Sequence, residues 1–167
     1  MLVFSEYQTD TIDLALDFYG YEDCPKNYEF GPSVRDNFVL HFITKGKGVF
    51  HFNKKEIHLE AGDLFLLPKN KVTYYKADEE EPWSYYWIGI SGTKVSDFMR
   101  FSTLHEKGFL KKTEAETEKI GQFMEQLVHK AEASKMTSHY QLHLLSQIYE
   151  LLYLIGEIAP NVQKSYL

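Results

Sequence analysis

Three histidines, His41, His51 and His58, are the side chains best suited to hold a transition metal. His41 sits in an apolar run, while His51 and His58 have the setting of exposed strand positions, so packing and surface roles account for them and no metal or other cofactor is expected. No Ser-His-Asp order and no nucleophile elbow occurs, and Gly46-Lys47-Gly48 is too short to cradle a phosphate. The acidic run Asp78 to Glu81 lacks the alternating spacing of a calcium loop and reads as a solvated turn. These absences argue against an enzyme. What remains is a wealth of rings, 16% of residues with 12 Tyr and 12 Phe, which can build a core or a surface on which sugars and nucleobases stack.

Something must position those rings. The 167 residues, 44% hydrophobic and 25% charged, suit a single compact domain. A formal net charge of -6 leaves no excess of Lys and Arg to displace counterions from a phosphate backbone, so the chain should not bind DNA well alone. Cys24 is the one cysteine, which excludes an internal disulfide and fits a reducing cytosol. Glu6, Asp10, Asp13 and Asp17 interrupt the first twenty residues, unlike a signal peptide, and no apolar stretch reaches membrane-spanning length. The expected location is the cytoplasm, without membrane contact.

Residues 1–30 read as an arm and entry, closed by Pro25, Gly31 and Pro32. Short strands follow at regular spacing: 36–43, 49–52, 56–59, 64–67, 72–75 and 83–90, with turns at Lys45 to Gly48, Glu60 to Asp63 and Asn70-Lys71. That rhythm predicts a sandwich or small barrel over 31–110. Near Thr113 the period changes. Thr113 to Glu116 has the form of a capping box ahead of Ile120, Phe123, Met124, Leu127 and Val128, and Ser138 to Gln141 could be another. Leu142, Leu145, Tyr149 and Leu152 then step along a second helix, giving a helical hairpin over 111–160. The stripe can cover the barrel or meet a second subunit; with Leu144, Leu151 and Leu154 widening it, contacts on two sides are expected.

Gly62 and Pro68 have the glycine, five residues, proline spacing of the second cupin motif, and Gly46 stands where a first motif places its turn glycine. The metal ligands of that motif pair are missing: Pro32, Val34 and Val39 offer none, and the later histidine position falls at Thr73. The ordered set Gly31 to Asp36, Leu40 to Ile43, Gly46 to Gly48, Gly62-Asp63, Leu66 to Pro68, Tyr75 to Asp78, Pro82-Trp83, Tyr86 to Ile88 and Gly92 is more specific. It resembles the effector-binding domain of AraC/XylS-type bacterial transcription regulators, above all the sugar-utilisation activators, over about residues 20 to 160.

The resemblance implies a mainly β fold, a cupin-like double-stranded β-helix barrel followed by two antiparallel helices. It implies a sugar-sensing, homodimerising module that controls DNA binding through a C-terminal helix-turn-helix domain absent from this chain, which stops soon after Pro160. The sugar would lie in the barrel under an N-terminal arm. Carried over by position, the pocket arginine is Arg35, the stacking ring Trp87, and the adjacent polar group Tyr85, on the same strand face. Tyr75 matches a further pocket tyrosine, with Tyr74 the alternative; Cys24 falls near an arm-proximal hydroxyl position, and Trp83 is grouped with the set. Leu142, Leu145, Tyr149 and Leu152 would carry the dimer. Tyr85 replaces the histidine of arabinose-responsive relatives and the arm does not align, so arabinose itself is not implied. The alternatives are Trp83 and Trp87 as plain core, Arg35 as an ion-pair partner of Asp36, a cupin-fold isomerase or dioxygenase, or a lectin-like module.

Overall fold

The structure, a computed structural model, describes residues 2–6, 13–134 and 139–162. Its elements in chain order begin with strands β1 (Leu2–Glu6), β2 (Ala15–Asp23), β3 (Glu29–Val34), β4 (Phe38–Lys45) and β5 (Lys47–Phe52). Strands β6 (Lys55–Glu60), β7 (Leu64–Leu67), β8 (Val72–Ala77) and β9 (Ser84–Ser91) follow, then short helices α1 (Val95–Met99) and α2 (Leu104–Lys107). The chain closes with β10 (Phe109–Leu110), α3 (Thr117–Ser134) and α4 (Tyr140–Ile158).

The strands β2 to β9 divide between two antiparallel sheets, β2-β9-β4-β7 and β3-β8-β5-β6, with β1 and β10 added at the two edges of the first. Eight strands in this order make a jelly roll, the double-stranded β-helix of the cupin type. Strand β2 lies within residues expected to be arm; Ala15 to Asp23 instead run between β1 and β9 as an inner strand of the larger sheet.

The larger sheet is buried on both faces, and strand alternation divides its residues between two cores. Val39, His41, Ile43, Phe65, Leu67, Tyr85 and Trp87 point into the barrel. Phe38, Leu40, Phe42, Leu64, Leu66, Tyr86 and Ile88 point to the helices. This is why Phe38 to Ile43 reads as an apolar run broken only at His41 rather than as an alternation. The smaller sheet has one wet face: β5 and β8 bury Phe50, Phe52, Tyr75 and Ala77 and turn His51 and Tyr74 outward.

Ile120, Met124, Leu127, Val128 and Ala131 on α3, and Leu144, Ile148, Leu151, Leu152 and Ile155 on α4, pack against each other and the outer face of the larger sheet. Each fully buried Leu, Ile, Val or Met side chain among them contributes about 1.5–3 kcal/mol. The capping box read at Thr113 to Glu116 does not start a helix. Residues 112–115 form a turn, and α3 begins at Thr117, whose hydroxyl donates to the Gly62 carbonyl at 2.5 Å. Asp63 holds that junction: buried in the β6–β7 turn, it accepts the Glu60 N–H and the Lys112 N–H, both at 2.9 Å. The second box, Ser138 to Gln141, begins outside the described residues; α4 itself starts at Tyr140. No helix among the described residues is long and apolar enough to cross a membrane.

Candidate functional site

A cavity of about 360 Å³ enters the barrel from one end. Phe18 and Glu22 reach it from β2, Phe30 from β3, Val39 and His41 from β4, Leu67 from β7, Tyr75 from β8, and Tyr85 and Trp87 from β9, with Tyr28 and Arg35 from the connections. Four residues expected at a pocket, Arg35, Tyr75, Tyr85 and Trp87, therefore face one space. Tyr85 and Trp87 do so because residues two apart on a strand share a face, and their rings meet edge to face at 5.8 Å. Of the two tyrosines left open, Tyr75 points inward, whereas Tyr74 lies on the outer face and donates to Glu29.

Arg35 stands half-buried at the cavity's edge. Its Nε donates to Asn37 Oδ1 at 3.2 Å rather than to Asp36, and Asn37 in turn donates to Asp17 Oδ2 at 3.2 Å. The guanidinium carbon lies over the Phe18 ring at 5.1 Å from the centroid, a cation–π contact.

Deeper in, the Tyr85 hydroxyl donates to Tyr75 Oη across a long 3.5 Å hydrogen bond. Burial raises the pKa of both phenols well above the ordinary range, so both stay protonated and can each donate and accept. Cys24 lies behind the lining in the barrel core, within reach of the Tyr85 hydroxyl, and burial pushes its thiol up to about 12. Trp83 also lies behind the lining. It is fully buried, stacks on Phe65 at 5.2 Å, and its indole Nε1 is buried without a hydrogen-bond partner.

Two polar residues that sequence reasoning did not place here line the cavity. His41 is buried flat against Phe65, and desolvation lowers its pKa to about 3, so its imidazole is neutral. Glu22 is half-buried, and desolvation raises its carboxyl pKa. Nothing in the local sequence marks either one. The period-2 alternation of β2 would have put Glu22 on the face of Phe18 had the strand been read.

Among the described residues no group of three His, Cys, Asp or Glu side chains stands close enough together to hold a metal. His51 and His58 lie on the outer side of the smaller sheet, away from His41. The cavity offers hydrogen-bond donors, acceptors and ring faces, which is the equipment for binding a polar ring.

On α4, Leu142 is 73% and Tyr149 45% exposed, Leu145 is half-buried, and Leu152 is buried at 9%. Tyr149 and Leu152 line a second groove with Phe98, Phe101, Tyr153 and Gly156.

The family model for the AraC-like ligand binding domain matches residues 15–152. The chain is 37% identical over 158 residues to the Msm operon regulatory protein of Streptococcus mutans, covering 95% of this chain and 56% of that protein. It is 41% identical over 100 residues to the raffinose operon transcriptional regulatory protein RafR of Pediococcus pentosaceus, covering 58% of this chain and 36% of that protein. With the lactose operon transcription activator of Staphylococcus xylosus it shares 27% identity over 162 residues, 96% of this chain and 57% of that protein. The chain thus spans little more than half the length of these relatives, or less.

Proposed function

Because the chain belongs to the AraC-like ligand binding domain family, we propose that its barrel senses a sugar or glycoside and that the bound sugar controls transcription through a further, DNA-binding part of the protein. The observation that carries this reading is the convergence of Arg35, Tyr75, Tyr85 and Trp87 on one cavity. A sugar ring has a C–H face suited to the Trp87 indole and a rim of hydroxyls suited to a guanidinium and to phenols that both donate and accept. The relatives' names add weight, since they are regulators of raffinose, lactose and Msm operons. A non-enzymatic role is part of the same reading.

In this reading α4 carries the contact with a second copy of the chain. Its support is the exposed apolar side formed by Leu142, Leu145, Tyr149 and Tyr153, beside the side that Leu144, Ile148, Leu151 and Ile155 bury. Sugar binding would then bias the relative placement of two subunits and of the DNA-binding parts attached to them.

The test is a thermal-shift series with galactose, lactose, raffinose and arabinose on the wild type, Arg35→Ala and Trp87→Ala. A sugar at a hundred times its Kd stabilises the folded state by about 2.7 kcal/mol. Stabilisation of the wild type, absent in both variants, is the expected result. A folded wild type that responds to no sugar overturns the reading.

A further inference from the structure

The cavity holds two groups that carry full charge in water, and their positions suggest which chemical form of a sugar it accepts. Arg35 and Glu22 both line it, yet no ion pair or hydrogen bond joins them, and among the described residues Glu22 makes neither kind of contact with any side chain. Glu22 faces Tyr85 across the β2–β9 pairing, on the side of the sheet that forms the cavity wall. It lies close enough to Tyr28, Tyr75 and Cys24 to influence their ionisation. Arg35 is already engaged with Asn37 and Phe18. His41 is neutral, so among the described residues Arg35 is the one cation in the lining.

We propose that Glu22 is a specificity-determining residue that restricts the cavity to uncharged sugars and excludes their phosphorylated and carboxylate forms. The proposal rests on the reading of this cavity as the effector site. A carboxylate accepts hydrogen bonds and cannot donate them, so a ligand that satisfies it must bring donors, and sugar hydroxyls do. A phosphate or uronate group brings acceptors and negative charge into a partly desolvated space where Glu22 repels it. One arginine at the edge, with part of its hydrogen-bonding capacity spent on Asn37, does not form the cluster of cations that phosphate sites use. The sensor would accordingly respond to a sugar before a kinase or an oxidising enzyme has acted on it.

Isothermal titration of the full chain with galactose, galactose 6-phosphate and galacturonate, and with lactose and raffinose as larger neutral probes, tests this. The wild type is expected to bind at least one neutral sugar and to bind each anionic form at least about ten-fold more weakly than galactose. Glu22→Gln keeps the shape, removes the charge and supplies a donor, and should narrow that gap about ten-fold with an unchanged melting profile. Wild-type protein that binds an anionic form as tightly as galactose overturns the proposal without any variant. An unchanged ratio in folded Glu22→Gln overturns it too, while leaving the sugar-sensing reading intact. If neither neutral nor anionic probes bind the wild type, both fall.

Discussion

The His41 imidazole lies on the Phe65 ring with centroids 4.2 Å apart and 6° between planes, inside a barrel that keeps it neutral. Its pKa is lowered from 6.5 to about 3 by burial, so on acidification the unfolded chain takes up a proton that the folded one refuses. The stability this lends is complete above about pH 6.5 and is lost as pH falls from there towards 3. Urea unfolding at pH 7 and pH 5 should show the wild type losing about 2 kcal/mol more than His41→Phe, which keeps the stacked ring but cannot titrate. Equal losses in the two proteins would show that the imidazole takes a proton in place.

Gly48 has no room for a side chain. A Cβ there would stand 2.5 Å from two carbons of the Trp83 ring and 2.6 Å from the Lys76 carbonyl oxygen. Gly48→Ala must displace an indole held in the barrel core by Phe65, and the expected cost is about 1–3 kcal/mol in urea unfolding. A variant as stable as the wild type would mean that the β5 backbone and Trp83 have more freedom than this packing allows.

The buried Cys24 thiol, pushed up to about 12, should be almost inert. At pH 8 a chromogenic disulfide reagent is expected to modify it more than about a hundred-fold more slowly in the native protein than in urea, because the reactive thiolate is scarce and shielded. Comparable rates would place the thiol at an open surface.

On α4 the two sides separate stability from association. Leu142→Glu and Tyr149→Glu alter exposed positions and should change monomer stability by less than about 1 kcal/mol. Sedimentation equilibrium should nevertheless show a dimer for the wild type and monomer for both variants. Ile148→Ala, on the buried side, should do the reverse, lowering stability by about 2–5 kcal/mol. A wild type that stays monomeric at high concentration removes the dimer.

Much of this was legible in the sequence where local chemistry and pattern agree. Gly62 to Pro68 marks a turn and a buried strand, and β7 occupies Leu64 to Leu67. The spacing of Tyr85 and Trp87 sets them on one face. Strand β2 was missed because Phe18, Gly20 and Glu22 face the barrel while Tyr19 and Tyr21 face the helices, so aromatic and polar residues occur on both sides and no hydrophobic alternation shows. The polar part of the cavity was hidden for a related reason. What makes His41 and Glu22 lining residues is the set of strands brought against them, not their neighbours in the chain. The start of α3 was misplaced because a tertiary bond from Thr117 to Gly62 outcompetes the local capping pattern at Thr113.

Strand β9 is both a wall of the cavity and the bed of a helix. Trp87 looks into the barrel, while its neighbour Tyr86 reaches Glu125 at 3.4 Å and His129 at 3.3 Å on α3. A single thickness of backbone separates the cavity from the helical layer. A ligand that displaced β9 through Trp87 would press on α3, and a second subunit bearing on the helices would press on the indole. Free-energy linkage then runs both ways with the same factor: a sugar that tightens subunit association must itself be held more tightly by the associated form. Affinity for sugar would thus depend on how concentrated the protein is.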